Sequence, residues 1–116
     1  MKRYKELKIQ HLSNSAAHQR WNEFNQDATR PGCLVTFLRP GGTALEFYCP
    51  SEHLHFEDFR DYAIRRYLSP LQAGDEPSAL ILVSGRCFHQ GCPEYGHRVS
   101  SGGHLSGQAI ASPFVM

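Results

Sequence analysis

A chain of 116 residues, 41% hydrophobic and 20% charged, has the balance of one globular domain, long enough to bury a core without disulfides or a structural metal. Lys and Arg number 12 against 11 Asp and Glu, so the formal net charge of +1 supplies no long-range field toward nucleic acid or an anionic membrane. No apolar run approaches the roughly 18–20 residues of a bilayer span, and the start, Met-Lys-Arg-Tyr-Lys-Glu-Leu-Lys, lacks the hydrophobic stretch of a signal peptide. The expectation is a cytoplasmic protein with no membrane partner, whose Cys33, Cys49, Cys87 and Cys92 are thiols or metal ligands rather than disulfides.

Along the chain, Tyr4 to His11 alternates, with Leu7 and Ile9 on one side and Glu6, Lys8 and Gln10 on the other, which predicts a half-buried strand. Ser13, Asn14 and Ser15 then offer helix N-caps. Ala17, Trp21, Phe24 and Ala28 follow at intervals of four, three and four, an amphipathic helix that Pro31 and Gly32 stop near Thr29.

Cys33 to Cys49 reads as a β-hairpin around Arg39-Pro40-Gly41-Gly42-Thr43. Pro40 suits the first position of a type I turn and Gly42 the left-handed position that closes a three-residue loop, so Arg39 lies opposite Thr43. In that register Cys33 faces Cys49, Val35 faces Phe47 and Phe37 faces Leu45 on an apolar side, while Thr36 faces Glu46 on the other. A slip of one residue sets Phe37 against Glu46 and mixes the faces. Cys33 and Cys49 become core neighbours.

A second helix follows Pro50 and Ser51, with Phe56, Phe59, Ala63, Ile64 and Tyr67 on its apolar face, an Asp61–Arg65 pair, and Ser69-Pro70 at its end. Ser78 to Val83 is a continuous apolar run, the signature of a strand buried on both faces. Residues 85–107, with six glycines and His89, His97 and His104, show no periodicity and read as a long loop; residues 108–116 form a tail that could add an edge strand, limited by Pro113.

Strand, helix, strand, strand, helix, strand is the order of an α+β, ferredoxin-like split β-α-β sandwich, with two helices on one face of an antiparallel sheet and a loop-rich C-terminal extension. On this reading the chain, 1–116, is a single domain. Such a sheet leaves Leu34, Leu38 and Tyr48 on an uncovered face, which invites a partner subunit or the tail, and so a homodimer.

Three chemistries compete for the 85–107 loop and its surroundings. Cys87, His89, Cys92 and His97 are four zinc-type ligands within eleven residues, although Cys87-x4-Cys92-x4-His97 is more evenly spread than the usual structural knuckle. His-Leu-Ser occurs twice, at His11-Leu12-Ser13 and His104-Leu105-Ser106. This pair resembles the paired His-x-Ser/Thr signature of the 2H phosphoesterases, and the resemblance implies His11 and His104 as general acid and base, with Ser13 and Ser106 gripping the phosphate. It covers six residues, and the family motif continues with an apolar residue where this chain has Asn14 and Gly107. A thiol nucleophile at Cys87 or Cys92 has no base fixed by spacing, and Ser100-Ser101-Gly102-Gly103 lacks the strand-loop-helix setting and lysine of a phosphate loop.

Lys2, Arg3, Lys5 and Lys8 make a basic N-terminus that a solvated face explains as well as nucleic acid does; Phe37 and Phe47 point into the core rather than onto a base-stacking platform. By elimination the sequence is read as a small non-enzymatic module that binds another protein, an inhibitor, adaptor or immunity-type protein acting by surface occupation. Arg86, Phe88, Tyr95 and Arg98 are the hot-spot residue types that would form its surface. No cofactor is expected on that reading, and zinc on the alternative.

Overall fold

A computed structural model of the chain describes residues 6–27, 30–50, 56–72, 78–86 and 98–105. Its elements are β1 (Lys8–Ser13), α1 (Asn14–Gln26), β2 (Cys33–Leu38), β3 (Thr43–Cys49), α2 (Phe56–Leu68), β4 (Ala79–Arg86) and β5 (Arg98–Leu105). The strands form one five-stranded sheet in the order β1-β3-β2-β4-β5, and every neighbouring pair is antiparallel. This is the small α+β fold expected from the element order.

The strand order is not strictly ferredoxin-like. β1-α1-β2 is a split β-α-β unit, its two strands parallel with β3 between them, and β3-α2-β4 is another, with β2 between. In the ferredoxin-like order the second unit steps back across the sheet, so that its last strand lies beside β1. Here it steps onward, and β4 lies beside β2. The two units therefore move the same way across the sheet on strands that run in opposite directions. Connections of one hand, as β-α-β units strongly prefer, then require their helices on opposite faces.

The side chains agree. α2 covers the face of Cys33, Val35, Phe37, Phe47, Cys49, Ile81 and Val83, filling it with Phe56, Phe59, Ala63, Ile64 and Tyr67. Phe37 stacks on Tyr67 with ring centroids 4.5 Å apart and meets Phe47 edge-on at 5.7 Å. α1 lies on the reverse face, where Arg20 reaches Glu46, Asn25 reaches Ser84, and Phe24 meets Tyr48 at 5.7 Å. The expectation of two helices on one face is thus corrected to a helix-sheet-helix sandwich. The face of Leu34, Leu38 and Tyr48 that was to receive a second subunit is covered by α1, with Leu34 buried and Tyr48 half-buried.

The hairpin register is the one its apolar alternation demands: Cys33 opposite Cys49, Val35 opposite Phe47, Thr36 opposite Glu46 and Phe37 opposite Leu45. The loop closes through Arg39 N–H to the Thr43 carbonyl at 3.2 Å and Gly42 N–H to the Arg39 carbonyl at 3.4 Å. Gly41 has φ 93° and Gly42 φ 90°. A positive φ at Gly41, the residue after Pro40, is what a type II turn needs, so the turn is type II rather than type I.

Ser13 caps α1, its hydroxyl accepting from Ala16 N–H at 3.1 Å, and the helix ends at Gln26, three residues short of Thr29. Ala17 and Phe24 are buried and Trp21 half-buried, as the apolar stripe requires. Asp61 takes Arg60 at 3.5 Å where Arg65 was expected. The stretch read as one loop from 85 to 107 contains a strand: residues 98–105 pair with β4 along its whole length, and Leu105, fully buried in the α2-side core, anchors them. The tail 108–116 lies outside the described residues. No helix among the described residues is long and apolar enough to cross a membrane.

Candidate functional site

β1 is an open edge strand of the sheet. Of its six residues only Leu12 is half-buried; the rest are exposed, and Ile9 at 39% is one of two large apolar side chains so exposed among the described residues. β1 bonds to β3 on one side, and no described strand lies on the other. The phase of its ladder follows from a single bond. Asn14 N–H donates to the Gly42 carbonyl at 2.9 Å, which makes that position a hydrogen-bonded pair. Alternation along an antiparallel ladder then assigns Lys8, Gln10 and Leu12 to β3 and turns the N–H and C=O groups of Ile9 and His11 outward.

The far edge shows the same alternation. Arg86 N–H donates to the Gly32 carbonyl at 3.2 Å, so the even-numbered residues of β4 bond to β2 and the odd-numbered ones to β5. Ser100, Gly102 and His104 therefore turn their backbone groups away from β4. The centre of β5 is two serines and two glycines, whereas β1 offers a charged, an aliphatic, an amide and an imidazole group in sequence.

Behind β1 lies a polar cluster that sequence reasoning missed. Glu46, 1% exposed at the centre of β3, accepts from Arg20 Nε at 2.8 Å, Arg20 Nη2 at 2.9 Å and Gln10 Nε2 at 2.7 Å. The guanidinium of Arg20 is held protonated above its usual range by its hydrogen bond to Glu46, against the cost of partial burial. The cluster ties β1, β3 and α1 together and keeps the open strand in place. The signal for it was a carboxylate set among Leu34, Leu38, Ala44 and Tyr48 on one sheet face, an arrangement that requires a cation if the face is covered.

His11 and His104 are not brought together. They lie on the two edge strands and point to opposite faces, His11 beside Leu45 and His104 beside Leu80. Four strand spacings of about 4.8 Å put roughly 19 Å between them. Ser13 spends its hydroxyl on the α1 cap, His104 Nδ1 lies 3.3 Å from the Ala79 carbonyl oxygen, and Ser106 lies outside the described residues. The paired histidine site implied by the resemblance to 2H phosphoesterases does not form within this chain.

Cys87, His89, Cys92 and His97 also lie outside the described residues, as do Phe88 and Tyr95. Among the described residues no three His, Cys, Asp or Glu side chains gather as metal ligands. Cys33 and Cys49 are buried neighbours in the α2-side core, as their register implies. Arg86 and Arg98 occupy opposed positions at the end of β4 and β5, and the Nε of Arg86 is buried without a hydrogen-bond partner among the described residues. Compared with known protein families, curated proteins and solved structures, the chain has no match.

Proposed function

We propose that the protein is a non-enzymatic protein-binding module whose recognition element is the open edge of β1, which takes an extended segment of a partner as an added strand. The observation that supports this is the coincidence, on one strand, of outward backbone groups at Ile9 and His11 with side chains that are almost all exposed. An unpaired strand edge is a template for another chain, and main-chain bonds supply its affinity while alternate side chains supply selectivity. Ile9 gives an apolar contact on the α2 side, and Lys8 and Gln10 give polar ones on the α1 side. By occupying a strand of its partner in this way, the module would act as an inhibitor or regulator.

The test is selection of peptides from a random display library on the purified protein. The winners should be extended sequences whose binding shifts the amide resonances of Ile9 and His11 and is lost in His11→Pro. That variant removes an outward N–H and leaves the ladder to β3 intact, a placement that edge strands tolerate. Peptides that bind His11→Pro as tightly as the unaltered chain would refute the reading.

A further inference from the structure

Cys33 and Cys49 stand directly opposite one another across the β2–β3 hairpin, both buried in the α2-side core and both thiols. Two bonds fix the phase of the ladder at this rung. Arg39 N–H donates to the Thr43 carbonyl at 3.2 Å, so the odd-numbered residues of β2 bond to β3. Arg86 N–H donates to the Gly32 carbonyl at 3.2 Å, so the even-numbered ones bond to β4, in agreement. Cys33 and Cys49 are therefore a hydrogen-bonded pair, whose Cα atoms stand about 5.5 Å apart. That separation suits a disulfide, for which roughly 4.4–6.8 Å is usual. The Cβ atoms of such a pair stand about 5.5 Å apart, wider than the roughly 3.8 Å of a relaxed disulfide. A bond between the two is within reach and strained.

The surroundings give this rung freedom to move. Cys33 is the first residue of β2 and Cys49 the last of β3, so the pair closes the hairpin at the end of the sheet. Gly32, with φ 99°, precedes it, and Pro50, which has no N–H, follows it. The Sγ of Cys33 lies 3.0 Å from where a Cβ on Gly85 would stand, so the thiol leans over the one β4 position that has no side chain. A turn about its Cα–Cβ bond brings it back toward β3. On the other side of Cys49 the β1–β3 register, one residue beyond Lys8 and Tyr48, places Leu7, which packs half-buried against the same core.

We propose that Cys33 and Cys49 are a reversible redox switch, closed to a disulfide by a low-molecular-weight disulfide of the glutathione class. One cysteine thiolate attacks a sulfur of the oxidant and releases one thiolate, leaving a mixed disulfide. The second cysteine thiolate then displaces the other half. The two cysteine protons pass to the two released thiols, so one protein disulfide forms for each oxidant reduced. Burial confines the attack to moments when this last rung opens, an event at the sheet end that leaves the centre of the sheet intact. Strain makes the product readily reduced, the mark of a regulatory bond rather than a structural one. Closure draws Cys49 toward Cys33 and away from Leu7, loosening the start of β1 on β3. The switch does not depend on what β1 binds, so it and the docking edge can fail separately.

The full chain is equilibrated, folded, in mixtures of oxidised and reduced glutathione, its thiols are trapped by alkylation, and the products are mapped by mass spectrometry. Cleavage after Glu46 separates the two cysteines, so their bond is seen as a linked pair of peptides. Cys33 linked to Cys49 is expected in the oxidising mixtures and should be lost in an excess of reduced glutathione. In the oxidised chain the Lys8 amide should exchange at least several-fold faster than in the reduced one. Cys49→Ala should abolish that response, which separates it from oxidation of Cys87 or Cys92; the mass measurement uses the unaltered chain and does not need this variant to fold. The proposal is overturned if the folded chain keeps both thiols in oxidised glutathione, if either cysteine links to a different one, or if excess reduced glutathione leaves the bond closed. It is equally overturned if Lys8 exchanges alike in both states or if Cys49→Ala retains the response.

Discussion

Arg20 on α1 and Glu46 on β3 form a two-point ion pair, Nε to Oε2 at 2.8 Å and Nη2 to Oε1 at 2.9 Å, in which the carboxylate is almost wholly buried and the guanidinium side chain is 47% exposed. The pair is the polar fastening between α1 and its face of the sheet. Removing one partner strands the other, which costs far more than removing both.

Arg20→Met should therefore destabilise the protein by about 2–3 kcal/mol, less than a fully buried pair because solvent reaches the guanidinium. Arg20→Met with Glu46→Leu should recover more than half of that loss. Urea unfolding of the two single variants and the double variant measures the coupling directly, and additive losses would remove the pair from the account of how α1 is held.

The ladder phase at β1 predicts a sawtooth in amide hydrogen exchange. Lys8, Gln10 and Leu12 donate to β3 and should exchange slowly; Ile9 and His11 face outward and should exchange at rates close to those of an open chain. Saturation of β1 by a partner strand should slow the second set and leave the first unchanged. Uniform protection along the free strand would show that its outer edge is already paired.

Phe24 and Phe59, both essentially unexposed, belong to different layers. Each substitution by alanine should cost about 3–5 kcal/mol, and with the sheet between them the two losses should add to within about 0.5 kcal/mol. Because such losses approach the whole stability of a small domain, Phe24→Leu with Phe59→Leu gives a gentler version of the same cycle. A large coupling energy would place both helices on one face.

Burial raises the phenol of Tyr67, offset in part by the positive charge of Arg39, and burial likewise raises that of Tyr48. A phenol that keeps its proton longer in the folded chain than in the unfolded one contributes stability that is whole below the ordinary value of 10.0 and falls as pH rises through the folded value. Unfolding midpoints should thus decline above pH 10, and Tyr67→Phe should flatten the decline. Near neutrality that variant loses only a 3.4 Å bond to the Ser78 carbonyl, worth under about 1 kcal/mol. An unchanged alkaline slope in Tyr67→Phe would assign the decline to other groups.

What could be read from the chain was whatever local pattern dictates. Ser13 before an apolar stripe makes a capped helix, Pro40-Gly41-Gly42 between two β-rich runs makes a hairpin, and the alternation of Cys33, Val35 and Phe37 against Cys49, Phe47 and Leu45 permits one register. The α2 face, Phe56 through Tyr67, was legible for the same reason, since helical spacing alone gathers it. β5 was not legible: Arg98-Val-Ser-Ser-Gly-Gly-His-Leu has no strand pattern, and it is a strand because β4 offers it a ladder and the core takes Leu105.

Sequence by itself therefore determined every element but β5, the hairpin register and the α2-side core, all of which depend on residues close in the chain or on simple periodicity. Only tertiary structure decided that β4 lies beside β2, that α1 crosses to the opposite face, and that Glu46 is buried instead of solvated. The reason is the range of the interactions. A carboxylate in mid-strand is tolerable inside the protein only with Arg20, 26 residues away, and Gln10, 36 residues away, brought to it by the fold.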